Sequence, residues 1–405
     1  MKLNICIISQ EFPPHTNWGG IAIYNSEFSN IYRELGHRIT VISRSSLGAP
    51  EFERLPNGIS VWRVGSTIRR KLFVGRTIDR ILHSKDVYRK VRELDAQNSF
   101  DIIETTETCL EGEALLRDPF FSNRMIIQCN GSNAQGQVPD GLLSPLHRID
   151  WGWSTRREIA SLHLTPVIII TSNATRRILL DQGIPEENIQ LIYQGINTDL
   201  FCPGEQQSYG PLLEVAFVGR LEMGKGIDFI WKVMSKIEPN SRIRFHLKGA
   251  IHKAWKKDIE KEIERFSGMC VYHPSGGHKD MPDFYRSMHV LLQPSRFENF
   301  GLVYAEGMAS GLVVFAGRKG GGSEIVEDGA TGFLIDPDTD GDVDKVVSTL
   351  KEIVSNPDAF AKMRKAARES IVRRFSLKKC AAEKIAVYQE VASSKQLEFN
   401  KCNQP

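Results

Sequence analysis

Short, uninterrupted runs of Val, Ile and Leu recur along this 405-residue chain, each followed by a stretch whose apolar residues have helical spacing. A strand with one wet face alternates apolar and polar residues. A run without alternation is buried on both faces, the pattern of parallel strands covered by helices. LNICIIS, RITVIS, DIIETT, MIIQC, VIIITS and IQLIYQG form a first series. Between the first two, Ile21, Tyr24, Phe28, Ile31 and Leu35 share one helical face, and Gly36 suits the end of that helix. The alternation pauses at NTDLFCPGEQQSYGPL, residues 197–212, which is polar, rich in Gly and Pro and without period, and therefore reads as a linker. It resumes with EVAFVG, IRFHLKG, MCVYH, VLLQPS, VVFAG and GFLI. The predicted fold class is α/β, with two doubly wound domains at 1–200 and 201–375 facing a central cleft, and a last helix within 376–405 for which Ser376 suits the N-cap. Ligands of such sheets bind beyond the C-terminal ends of the strands.

Composition excludes several classes. The formal net charge is only +3, too small for a nucleic-acid footprint. Seven scattered cysteines without a C-x-x-C pair suit reduced thiols in the cytoplasm. The start MKLNICIISQEF reads as a buried strand rather than a leader, and no apolar run approaches the roughly 18–20 residues that span a bilayer. Any membrane contact is therefore expected to be peripheral. Its candidate is the stretch 66–94, where Arg69, Arg70, Lys71, Arg76, Arg80, Lys85, Arg89, Lys90 and Arg92 outnumber Asp79 and Asp86. This is either the solvated face of an amphipathic helix or a surface for anionic lipid or an anionic acceptor.

The chemistry gathers in the second series. FVGRLEMGKG ends a strand and then presents Arg220 and Lys225, a fork and a mobile point charge that can reach an anion; a solvated basic turn is the alternative. RFENFGLVYAEGMASG follows another strand and is expected to open a helix near Phe300. Unbonded amides and the positive end of the helix dipole make an anion site there, and Gly301 would let a phosphate approach the main chain. Glu298 and Glu306 flank that site, and a carboxylate is a poor neighbour for phosphate. The two make sense if each faces hydroxyls on either side of a diphosphate, as in a sugar nucleotide. RKGGGSEIVEDGATGFLI adds Gly320, Gly321 and Gly322, a flexible turn or a second backbone approach to ligand, with Ser323 as the expected N-cap.

These motifs, together with GGIAIYNSEFSNIYRELGHRITVIS and LIYQGINTDLFCP, resemble the retaining glycosyltransferases of family 4, which have the GT-B fold of two Rossmann-like domains. The glutamates with seven residues between them match that family's signature. The resemblance implies a nucleotide-sugar donor as co-substrate, no further cofactor, no metal, and an acceptor hydroxyl on a glycan, a lipid-linked molecule or a small molecule. It implies that Glu306 binds the ribose, that Glu298 contacts the transferred sugar, and that Arg220 and Lys225 neutralise the departing diphosphate. The amides around Phe300, Gly301 and Leu302 would assist, Gly19 and Gly20 would line the donor site, and the last helix would cross back onto the first domain. One position departs from the pattern. Where the family often has a histidine, IIQCNGSNAQG puts Asn130, which can hydrogen-bond a sugar hydroxyl but cannot act as a general base near neutral pH. A sugar-nucleotide epimerase or hydrolase, or a non-catalytic binding protein, are the alternative functions. The loop from Asp336 to Asp342 mimics half of a calcium loop but has Val347 where a bidentate Glu belongs, so its acids are expected to serve a helix start.

Overall fold

The non-alternating runs become parallel strands in two sheets, seen in a computed structural model that describes residues 1–16, 19–65, 76–131, 145–204, 211–239 and 241–402. The first unit comprises Met1–Tyr193 and Cys380–Pro405; the second comprises Gln194–Lys379.

In the first unit the strands are β1 (Asn4–Ser9), β2 (Arg38–Arg44), β3 (Phe52–Arg54), β4 (Ser60–Val64), β5 (Ile102–Thr106), β6 (Met125–Cys129), β7 (Val167–Ile170) and β8 (Ile189–Leu191). Their order in the sheet is β3-β4-β2-β1-β5-β6-β7-β8, parallel except for β3 against β4. The chain winds outward from β1 in one direction and then from β5 in the other. The C-terminal ends of β1 and β5 are therefore a topological switch point, the place where such sheets bind ligands. The antiparallel β3–β4 pair was not legible as strands: FER is short and polar, and SVWRV carries Arg63, whose charge is held by Glu53 at 2.8 Å.

Helix α1 (Gly20–Glu34) covers this sheet with Tyr24, Phe28, Ile31 and Tyr32. Leu35, expected on the same stripe, is the exposed C-cap instead, and Gly36 follows at a left-handed φ of 89°. The helix stops one residue short of the apolar period, because Gly36 takes up the left-handed conformation at little cost. Helix α2 (Arg76–Gln97) packs on the same unit, as does the last helix, α3 (Leu377–Cys402). Lys384 of α3 is fully buried. Its Nζ lies 2.9 Å from Glu104 Oε1 on β5 and donates to the Tyr24 hydroxyl at 3.0 Å, which in turn donates to Gln128 Oε1 on β6 at 2.9 Å. The Tyr32 and Tyr388 rings meet edge to face.

The second unit has β9 (Leu213–Val218), β10 (Ile243–Lys248), β11 (Cys270–His273), β12 (Val290–Gln293), β13 (Val313–Gly317) and β14 (Phe333–Ile335), all parallel, in the order β11-β10-β9-β12-β13-β14. Its switch point lies between β9 and β12. The division between the units differs from the expected 200/201. Ile196 N–H donates to Phe375 O, Leu377 N–H donates to Ile196 O, and Arg368 donates to the carbonyls of Thr198 and Phe201, so the first half of the expected linker is fastened to the second unit. Among the described residues, no helix is long and apolar enough to cross a membrane.

Candidate active site

At the second unit's switch point the ends of two neighbouring strands are stitched together. Gln293, the last residue of β12, accepts the N–H of Val218 from the end of β9 at 3.1 Å and donates to Ser295 Oγ at 3.2 Å. Beyond β9 comes the turn that carries Arg220 and Lys225. Beyond β12 comes the loop that carries Glu298. Arg296 ties turn to loop: its guanidinium donates to the Met223 carbonyl and makes a bidentate pair with Asp228 at 2.9 and 2.7 Å, while its own N–H donates to Gly224 O. The hydrogen bonds that Arg296 donates to Asp228 push its pKa above the ordinary value. Arg296 was not singled out from the sequence, because its role depends on β9 and β12 being neighbours, which no local pattern reveals.

The structure brings Lys225 and Glu298 together. Lys225 Nζ is 2.7 Å from Glu298 Oε1, and Ser295 Oγ donates to the same oxygen at 2.8 Å. An ammonium bonded to the carboxylate offsets its repulsion of a nearby anion. Arg220 stands apart, 63% exposed, with Glu222 at 3.0 Å.

The helix after this loop, the signature helix, spans Leu302–Ala309 and begins slightly later than expected. Gly301 is its N-cap at a φ of 98°, and a Cβ there would lie 2.3 Å from the Tyr304 ring. Glycine is thus required by the helix's own aromatic residue, whatever approaches from outside. The first bonds to Gly301 O come from Tyr304 and Ala305, so the amides of Leu302 and Val303 precede the helical ladder. The Phe300 side chain is buried edge to face against Phe375, leaving only its main chain for a ligand, and Leu302 is half-buried. Glu306 is buried and accepts from the Tyr285 hydroxyl at 2.9 Å. Burial and this carboxylate together hold the Tyr285 pKa well above its ordinary value.

The glycine run forms the turn from β13 into the short helix Gly322–Ile325, and main-chain packing fixes it there. A Cβ at Gly320 or Gly321 would fall 2.0 Å from Glu298 O or 2.1 Å from Phe300 O, and Gly321 N–H donates to Glu298 O at 2.8 Å. These glycines let one main chain lie against another and so hold the Glu298 loop. Ser323 is not the N-cap: that residue is Gly321, and the Ser323 hydroxyl donates back to Gly320 O. In the acidic loop, Asp342 accepts the N–H of Asp336 and Asp336 accepts the N–H of Asp338, just before the helix Asp340–Ser355.

In the first unit, Gly19 is the N-cap of α1 with extended backbone, and Gly20 opens the helix without a side-chain cap. Asn130 directly follows β6. Its N–H and that of Gly131 both donate to Glu107 Oε1, at 3.0 and 2.6 Å. Glu107 directly follows β5, is buried, and was not singled out from the sequence. Of the basic stretch, Arg69, Arg70, Lys71, Leu72 and Phe73 lie outside the described residues. Along α2, Arg80 donates to Ser154, Arg89 pairs with Asp86, and Lys90 pairs with Glu93 and lies over the Trp62 ring.

Residues 18–200 match the family model described as Glycosyltransferase Family 4, and residues 204–370 match the model described as Glycosyl transferases group 1. The sulfoquinovosyl transferase of Arabidopsis thaliana is 32% identical over 219 residues, covering 50% of this chain and 40% of that protein. The chain spans about half the length of the curated relatives it matches. Among solved structures, sucrose-phosphate synthase from Thermosynechococcus elongatus superposes with a TM-score of 0.81 at 19% identity, covering 97% of this chain and 100% of that one. Anabaena HepE in complex with UDP and glucose superposes with a TM-score of 0.72 at 16% identity, covering 96% and 100%. Two adjoining family matches and two parallel sheets of this order place the chain in glycosyltransferase family 4, with the GT-B fold.

Proposed function

We propose that this protein transfers a sugar from a nucleotide-diphosphate sugar to an acceptor hydroxyl, with retention of anomeric configuration and without a metal ion. The observation that carries the reading is the pairing of Lys225 with Glu298 beside the amides of Leu302 and Val303, at the β9/β12 switch point. As the glycosidic bond breaks, negative charge grows on the diphosphate. Arg220, Lys225 and the helix amides stabilise that charge more in the transition state than in the ground state. Glu298 orients Lys225 and offers its carboxylate to hydroxyls of the sugar. Glu306, held by Tyr285, takes the ribose. Gly19, Gly20 and Asn130 keep the donor-side roles that family membership implies, and the acceptor hydroxyl attacks from the face the diphosphate leaves. HepE complexed with UDP and glucose supports a nucleotide-sugar donor for a chain of this fold.

The test is incubation with a panel of nucleotide sugars, UDP-glucose first, following nucleotide release with and without sugar and glycan acceptors. Release with an α-linked product from an α-linked donor supports the reading; binding without turnover supports a binding protein, and an epimerised donor supports the epimerase. EDTA should leave the rate unchanged, and a loss restored by Mg²⁺ or Mn²⁺ overturns metal independence. A cytoplasmic location is part of the proposal. For peripheral contact of residues 66–94 with anionic membrane, Arg80, Arg89 and Lys90 of α2 already have partners within the protein, and vesicles containing anionic lipid should retain the protein only if that contact exists.

A further inference from the structure

We propose that Glu107 is the positioning residue for Asn130, an internal anion that occupies the pair of amides at the end of β6. The inference deepens the proposed function and rests on it for the role of Asn130. Two consecutive main-chain N–H groups turned toward one point form a small concavity that favours an anion. Here Glu107 Oε1 fills it, with Asn130 N–H at 3.0 Å and Gly131 N–H at 2.6 Å. The sheet order explains how the residues meet. β5 and β6 are parallel neighbours, with Thr106 opposite Gln128, so the first residue beyond β5 stands close to the first residues beyond β6.

Glu107 is 3% exposed. Burial raises its pKa, while the amides of Asn130 and Gly131 pull it back down, so these hydrogen bonds compensate part of the cost of keeping a carboxylate there. Two consequences follow for the chemistry. The amides after β6 are occupied from within, so they do not compete for the donor's phosphates. The backbone of Asn130 is held at the β5 side of the sheet, so its side chain, which stands where relatives often have histidine, is presented from a fixed main chain rather than from a free loop.

The experiment uses the full chain and two readouts. Hydrogen exchange of the peptide containing Asn130 and Gly131 should quicken about tenfold or more in Glu107→Ala, as expected for loss of charge-assisted hydrogen bonds, and should stay close to the parent in Glu107→Gln, which keeps one acceptor oxygen. With the donor selected by the panel, Glu107→Ala should lower kcat about tenfold with little change in donor KM, Glu107→Gln should restore most of it, and Glu107→Ala combined with Asn130→Ala should be no slower than Asn130→Ala alone. Unchanged exchange in Glu107→Ala overturns the clamp. Strictly additive effects of the two substitutions overturn the action through Asn130. If no nucleotide sugar is turned over, the proposed function falls, and the exchange comparison still decides whether Glu107 holds these amides.

Discussion

A lysine–glutamate pair in the first unit and another in the second stand in opposite surroundings. In the first unit, Lys384 and Glu104 meet at 2.9 Å with side chains 0% and 4% exposed. In the second, Lys225 and Glu298 meet at 2.7 Å with side chains 25% and 15% exposed. The first pair sits within a packed layer, where Lys384 also lies over the Tyr24 and Phe28 rings at 5.1 and 4.9 Å. Burial depresses the Lys384 pKa and Glu104 pulls it back up. The second pair sits beyond the ends of β9 and β12, where water and a ligand can exchange with either partner. The difference teaches that depth within the sheet, rather than the residue types, separates a fastening from a site.

The largest effect should come from breaking the buried pair. Lys384→Met leaves Glu104 uncompensated and should destabilise the first unit by about 3–5 kcal/mol. Adding Glu104→Gln should recover most of that in thermal unfolding. No loss of Tm in the single variant would remove the fastening role. The half-buried pair should behave in the opposite way. Lys225→Met should change stability by only about 0–1 kcal/mol yet lower kcat about 10²–10³-fold, with Arg220→Ala acting in the same direction. A rise in KM with kcat unchanged would make these cations substrate holders only. Glu306→Ala should weaken nucleotide binding by roughly 1.5–3 kcal/mol; an unaltered Kd would take Glu306 out of the ribose site.

The smallest effect concerns pH. Burial raises the Glu107 carboxyl above its ordinary 4.5, so the folded state takes up this proton before the unfolded state does. Its contribution to stability is fully present below pH 4.5 and is lost as pH rises through the raised value. Glu107→Gln should flatten the fall of Tm across that window, and an identical pH profile would show that Glu107 does not titrate there.

What was legible followed from local pattern. VIIITS and VVFAG could be only buried strands, and the Gly and Pro that end β9 and β12 marked where Arg220, Lys225, Glu298 and Glu306 would emerge. What stayed hidden depends on which strands are neighbours. The pairing of Lys225 with Glu298 joins residues 73 positions apart, and the bonds of Arg296 to Met223 and Asp228 span 73 and 68. The glycines at 320 and 321 looked like room for a ligand, but their missing side chains make room for the carbonyls of Glu298 and Phe300. Glu107 finds its partners only because β6 lies beside β5.

The hydrogen bond between Lys384 and Glu104 also spans 280 positions of the chain, with the whole of the second unit's sequence between them. A ribosome makes the chain from its N-terminal end. At about 5–20 residues per second, roughly 15–60 s separate the appearance of Glu104 from that of its partner. Once β8 has been made, the first unit has its eight strands but still lacks the helix that brings the counter-charge to β5. The nascent unit must therefore wait in an unfinished form, with a carboxylate that is still better served by water, while the second unit is made. The buried fastening of the first unit is thus an event of late synthesis, and any chain interrupted before Lys384 lacks it.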